Sequence, residues 1–187
     1  GVGNKDGLRF TDDQKISGTI PEMLERTMAF VARNVKQKMG FDANGNRVDR
    51  TEYPLKAIRE AVLNALIHRD YSPYTESVPV RVEIYSDRLV VSNKGGLYGA
   101  VPIAALGKTK IGKRNAFLVD MLEALNKTEN RNSGIATMQA ECRAYGIPDP
   151  MFCEIHGEFR VVFRNCMPAD RVVYDRSRSE ETILAYC

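Results

Sequence analysis

The spacing of apolar residues predicts four helices along the chain. In each of them an apolar residue recurs every three or four positions, which places these residues on one helix face. The four segments run from Thr19 to about Lys38, from Pro54 to about Arg69, over Asn115–Leu125 and over Ile135–Tyr145. Thr19 and Pro21 are typical of a helix start, because threonine caps the first turn and proline fits within it.

Alternation of apolar and polar residues predicts the strands. Every second residue between Val78 and Tyr85 is aliphatic, and a period of two is typical of a half-buried strand. Further strands are predicted over Leu89–Val91, Met151–Ile155 and Phe159–Phe163, with shorter ones over Arg47–Tyr53 and around Leu8–Phe10. Pro79 cannot donate a ladder hydrogen bond, so it places the start of its strand at an edge or outside the ladder. A turn is predicted over Gly40–Asn46 because the segment is rich in glycine and asparagine.

Length and composition indicate a globular protein. The 187 residues are 43% hydrophobic and 27% charged, which suits one sizeable domain with small extensions. The net charge of +3 is too small to indicate nucleic-acid binding by itself. No apolar run approaches the ~20 residues of a transmembrane helix, and the first residues do not resemble a signal peptide. We therefore expect a cytoplasmic protein with no membrane partner, and the missing initial Met suggests a fragment of a longer chain.

Cysteine and histidine are too sparse for a metal or disulfide framework. The four cysteines form no CxxC pair, and the chain has two histidines. This usage argues against a zinc site and favours reduced thiols.

The helix predicted from Pro54 carries the first candidate site. Glu60, Asn64 and His68 follow one another at four-residue steps, and such residues share one helix face. The helix is otherwise apolar nearly all round, so it should be buried on several sides. A carboxylate there needs a partner or a pocket. The simpler interpretation is that Glu60 pairs with a nearby cation such as Arg59 or Arg69.

Three further segments could approach an anionic ligand. Gly95-Gly96 follows a strand directly and allows close backbone approach, although a plain turn is the simpler interpretation. The basic stretch Lys108–Arg114 and Asn115 precede one predicted helix, and Ser133-Gly134 open another. Helix N-termini attract anions. A solvated charge run and an ordinary cap are the alternatives.

The order of these segments resembles the GHKL ATP-binding fold, in which a helix carries E-x-x-x-N and a following strand leads to D-x-G-x-G. The runs REAVLNALIHRDY, VEIYSDRLVVSNKGGL, KRNAFLVDMLEAL, NSGIATMQAECRAYGIPDPMF and GEFRVVF are similar to one branch of it. This branch is the C-terminal domain of RecG-helicase-related transcriptional regulators, which usually carry an upstream Schlafen/AlbA-type domain. The resemblance covers roughly residues 8–164. It implies a two-layer α/β sandwich of the α+β class, with a mixed, mostly antiparallel sheet covered by helices on one face.

The resemblance also implies site residues. Glu60 would be the catalytic base that orients water, and Asn64 would bind Mg²⁺ through the phosphates of ATP. The other nucleotide-binding positions it implies are His68, Asn93, Gly95, Gly96, Lys113, Arg114, Asn115, Ser133 and Gly134. The chain departs from the parent pattern at Asn93, where the family has Asp, and at Leu97, where it has a second glycine. These departures argue more strongly against ATP hydrolysis than against nucleotide binding.

The resemblance predicts domains and partners as well. Residues 1–46 would be a linker strand and helix packing on the core, 47–165 the nucleotide-binding domain, and 166–187 a tail that begins a further element. The first functional hypothesis is an ATP-binding domain of a bacterial regulator with slow Mg²⁺-dependent hydrolysis and no helicase motor. The second is a degenerate fold that serves as an interaction or homodimerisation module. DNA would be bound by other domains, or, in a third reading, by Lys108–Arg114.

Overall fold

The computed structural model describes residues 2–3, 10–41, 46–99, 102–108, 112–124 and 134–165, and within these ranges it has four α-helices and eight strands. The helices are α1 (Ile20–Asn34), α2 (Leu55–His68), α3 (Ala116–Ala124) and α4 (Gly134–Ala144). The strands are β1 (Val2–Gly3), β2 (Phe10–Asp12), β3 (Gln37–Phe41), β4 (Arg47–Thr51), β5 (Arg81–Ile84), β6 (Arg88–Lys94), β7 (Met151–Ile155) and β8 (Glu158–Arg164). Ile103–Ala105 form a short 3-10 helix.

The main sheet is mixed and mostly antiparallel. Its described strands lie in the order β2-β1-β5-β6-β8-β7, and β1 and β5 are the parallel pair. Neighbours across the ladder point to the same face, and the core residues of β5, β6 and β8 all lie on the face toward the helices. These core residues are Ile84, Leu89, Val91, Val161 and Phe163. The predicted fold class, a two-layer sandwich with helices on one face, is confirmed.

Helix α2 lies at the centre of the helical layer. It packs against α1, α4 and strand β6, and eight of its fourteen residues are buried. This confirms the prediction of a helix buried on several sides. The helix begins after Pro54, which occupies the cap position, and ends one residue before the predicted Arg69.

The first helix ends earlier than predicted. A capping box is present at its start, where the backbone N–H and hydroxyl of Thr19 both donate to Glu22 at 2.8 Å. The predicted continuation to Lys38 is wrong, because α1 ends at Asn34, whose side-chain amide donates to the Phe30 carbonyl at 3.0 Å. Gln37–Phe41 then form β3, which pairs with β4 in a separate two-stranded sheet. Its backbone groups are satisfied by a partner strand, and local spacing does not reveal such a partner.

The buried carboxylate of Glu52 joins three segments of the chain. It accepts hydrogen bonds from the Lys36 backbone N–H at 3.1 Å and from the Asn165 side-chain amide at 3.0 Å. Glu52 is 4% exposed, so each of these donors offsets the cost of burying its charge. The segment after α1 and the end of β8 are therefore fixed to the start of α2.

Candidate functional site

Helices α2 and α4 meet at Glu60, Asn64 and Gly134. The Asn64 side-chain amide donates to Glu60 Oε1 at 3.2 Å, as their four-residue spacing on one face allows. A Cβ built on Gly134 would lie 2.2 Å from the same Glu60 oxygen and 3.0 Å from Asn64 Nδ2. Glycine at this position therefore lets the N-terminus of α4 approach the carboxylate, whose negative charge is favourable at the positive end of a helix.

The cations suggested as simple partners of Glu60 are engaged elsewhere. Arg59 pairs with Glu25 at 2.9 Å. Arg69 donates to the backbone carbonyls of Thr75 and Glu76 at 3.1 and 3.0 Å. The polar face of α2 formed by Glu60 and Asn64 thus points toward the start of α4.

His68 ends α2, four residues after Asn64. Its side chain is exposed, yet packed atoms around the ring desolvate it. This desolvation lowers the pKa of His68 below its usual value of 6.5, and the nearby charges of Arg114 and Lys113 lower it further. The imidazole is consequently neutral near pH 7 and can offer either a donor or an acceptor to a ligand.

The residues after His68 make a set of contacts at the C-terminus of α2. Arg69 stacks over the Tyr71 ring at 5.0 Å, and the Tyr71 hydroxyl donates to the Leu66 carbonyl at 2.7 Å. Asp70 accepts from the Ser72 backbone N–H at 2.9 Å, and its own N–H donates to the Lys94 carbonyl at 2.8 Å. The parent-fold motifs leave His68–Tyr71 without a role, and these contacts supply one: they attach the end of α2 to the end of β6.

Both glycines after β6 are required by close contacts. Gly95 has a positive φ of 93°, and a Cβ there would lie 2.9 Å from the Asp70 Cβ. A Cβ on Gly96 would lie 2.1 Å from Glu154 Oε1. The backbone N–H of Leu97 donates to the other oxygen of Glu154 at 3.1 Å. Glu154 was not predicted as a site residue, because it reaches this turn from strand β7.

Asn93 lies just before the glycine turn and is 3% exposed. Its side-chain nitrogen donates to the Lys94 carbonyl at 3.1 Å and, more weakly, to the Gly95 carbonyl at 3.5 Å. The amide therefore stabilises its own turn through its nitrogen. Its oxygen is the atom that remains for a ligand.

The basic residues Arg114 and Lys113, which precede α3, have different partners. Arg114 donates to the Gly96 carbonyl at 3.0 Å and stacks over the Tyr98 ring at 5.3 Å. Lys113 lies 3.3 Å from Asp120 and 3.5 Å from Glu123, and the hydrogen bond to Asp120 raises the pKa of Lys113.

Asn115 uses its side-chain amide to cap α2. It donates to the carbonyls of Ile67 and Arg69 at 2.7 and 2.8 Å. These are carbonyls at the helix C-terminus, which have no partner within the helix. Asn115 thus joins α3 to α2, and its approach to phosphates stays a prediction.

Several predicted features lie outside the described residues. They include Ser133, Lys110 and the tail 166–187. In the part of the chain that the structure describes, no three His, Cys, Asp or Glu side chains are grouped to hold a metal ion. The same part contains no helix that is both long and apolar enough to cross a bilayer.

Comparison with protein families finds one match. Residues 78–163 match the family described as "Putative ATP-dependent DNA helicase recG C-terminal". The matched range contains Asn93, the glycine turn, α3 and α4, and it begins after α2. No curated protein matches the chain.

One solved structure is similar over most of the chain. It is the crystal structure of the DIP2311 protein from Corynebacterium diphtheriae, with a TM-score of 0.69 and 26% sequence identity. The similarity covers 76% of this chain and 29% of that chain, so this chain spans less than a third of its length.

Proposed function

We propose that this chain binds an adenine nucleotide together with Mg²⁺, since residues 78–163 match the family described as ATP-dependent and RecG C-terminal. The phosphates would lie where the N-terminus of α4 meets Glu60 and Asn64, and the base would lie near Asn93, Gly95 and Gly96. The observation that carries the proposal is the contact of Gly134 with Glu60. That contact places a carboxylate and the Asn64 carboxamide beside a helix N-terminus, where one ligand could meet all three.

The residues present fit a magnesium ion bound through phosphates. Mg²⁺ prefers oxygen ligands and usually takes few of them from the protein. Asn64 donates through its nitrogen to Glu60, so its oxygen is the ligand atom that it can offer. The ion would neutralise charge on the phosphates. Glu60 would hold a water molecule by accepting its proton, which supports slow hydrolysis, and His68, Lys113 and Arg114 would lie at the rim.

This domain would be part of a cytoplasmic DNA-binding regulator whose DNA contacts come from other domains. A second candidate function is an interaction or homodimerisation module without catalysis. The observation that favours it is that the Asn93 amide, in place of the expected Asp, donates to its own turn. The two functions differ in whether Glu60 matters for any activity.

Titration calorimetry with ATP, ADP and a non-hydrolysable ATP analogue, with and without Mg²⁺, tests the proposal. We expect Mg²⁺-dependent binding, which Asn64→Ala weakens. Glu60→Gln should retain binding and lose hydrolysis, whereas the control Glu25→Gln, which changes a surface ion pair between α1 and α2, should alter neither. Failure of every adenine nucleotide to bind the native chain would overturn the proposal and favour the interaction module.

A further inference from the structure

Three side chains are cross-strand neighbours on adjacent strands of the sheet. Asn93 of β6 is opposite Phe159 of β8, and Phe159 is opposite Glu154 of β7. Directly opposed residues point to the same face of a sheet. Phe159 packs against the core beneath the helices, so all three side chains rise from the helix-covered face at the end where the glycine turn lies.

Glu154 reaches over the glycine turn from the strand beyond β8. One carboxylate oxygen, Oε2, accepts the Leu97 N–H at 3.1 Å. The other, Oε1, occupies the space that a side chain on Gly96 would fill. Within the described ranges Oε1 has no hydrogen-bond donor, and Glu154 is exposed to solvent. One acceptor atom of an ionised group is therefore available beside the turn.

The base site proposed above needs such an acceptor. The nearby Asn93 can offer only its uncharged amide oxygen as an acceptor, since its nitrogen donates to the Lys94 and Gly95 carbonyls. A hydrogen bond to a carboxylate is stronger than one to a neutral amide oxygen. Phe159 lies between Asn93 and Glu154 and presents an apolar surface there. Its ring stacks with Phe152 at a centroid distance of 6.4 Å.

We propose that Glu154 determines base specificity in this chain by accepting a hydrogen bond from the exocyclic amino group of the nucleotide base. This inference rests on the proposed nucleotide-binding function. It assigns to Glu154 the carboxylate role that the altered residue Asn93 cannot fill. The alternative is that Glu154 only holds the turn through Leu97.

Binding of two ligands to three proteins separates these roles. The ligands are ATP and purine riboside triphosphate, which lacks the 6-amino group, and the proteins are the native chain, Glu154→Ala and Glu83→Ala. Glu83 is the matched control, because it lies opposite Val90 on the other face of the sheet. We expect Glu154→Ala to lose about tenfold in ATP affinity, the usual effect of removing one charge-assisted hydrogen bond.

Glu154→Ala should bind purine riboside triphosphate with the same affinity as the native chain does. Glu83→Ala should have the affinity of the native chain for both ligands. Equal weakening of both ligands by Glu154→Ala would show that Glu154 only holds the turn, and would overturn the inference. A native chain that binds the two ligands equally well would overturn it too. A native chain that binds neither ligand would instead overturn the proposed function and this inference with it.

Discussion

Glu60 and Gly134 touch across the interface between α2 and α4, where a Cβ on Gly134 would lie 2.2 Å from Glu60 Oε1. The distance is far below a normal contact, so a larger residue at 134 must displace either the carboxylate or the helix. Two residues that lie 74 positions apart in the sequence are therefore in contact only because position 134 carries no side chain.

Gly134→Ala should consequently destabilise the chain by about 1–3 kcal/mol, the usual effect of overpacking. It should also abolish any nucleotide binding that depends on Glu60. Chemical unfolding of the native chain and of the variant measures the loss.

The double variant Glu60→Ala/Gly134→Ala is the sharper test. Without the carboxylate the closest contact of the added methyl group is Asn64 Nδ2 at 3.0 Å, the end of a side chain that can shift. Alanine is also favoured over glycine inside a helix by about 1 kcal/mol. The double variant should therefore be at least as stable as Glu60→Ala alone. If the double variant loses as much unfolding free energy as the two single variants together, the contact with Glu60 is not the reason that position 134 requires glycine.

Asn115→Ala should lower the free energy of unfolding by about 1–3 kcal/mol, because it leaves the Ile67 and Arg69 carbonyls without their donor. Asn115→Asp should be worse than Asn115→Ala, since a carboxylate cannot donate and its charge is unfavourable at a helix C-terminus. Thermal unfolding of both variants measures the effect. If both variants keep native stability while nucleotide binding weakens, Asn115 contacts phosphate instead of capping α2.

The elements with strong local signals were predicted closely. α2 runs over Leu55–His68 against a prediction of Pro54 to about Arg69, because an apolar helix with a proline at its start is marked by its own residues. β3 was missed, since its segment follows a helix and is determined by pairing with β4. Such pairing depends on a partner in space and leaves little trace in local spacing.

The site shows the same division. Glu60 and Asn64 could be named because both lie on one helix at a fixed spacing. That Gly134 would meet them was not visible, since that contact exists only after α4 has packed on α2. Glu154 was missed for a related reason, because it reaches Gly96 across the sheet. Contacts of this kind cannot be predicted from the type of side chain alone.

Asn93→Asp, which restores the carboxylate of the parent motif, should destabilise this chain. The native amide donates to the Lys94 and Gly95 carbonyls, whereas an ionised Asp would face both without a proton. Because residue 93 is 3% exposed, we expect a loss of about 1–3 kcal/mol. The loss should grow as pH rises above the ordinary pKa of a carboxyl group. Urea unfolding at pH 5 and pH 8 checks the trend, and a variant as stable as the native chain at both values would show that the amide donor is dispensable.

His68 should make stability fall in mildly acidic solution. Desolvation by the atoms packed around the ring, with help from Arg114 and Lys113, holds the pKa of His68 in the folded chain below its ordinary value of 6.5. The unfolded chain therefore binds the proton first, and the contribution of His68 to stability is complete above pH 6.5. It declines as pH falls from there through the lowered pKa. His68→Gln should flatten this part of the stability profile. His156→Asn should not, and asparagine suits the positive φ of 50° at that turn. Unfolding free energies measured from pH 8 to pH 5 for the three proteins test this, and an unchanged slope in His68→Gln would contradict it.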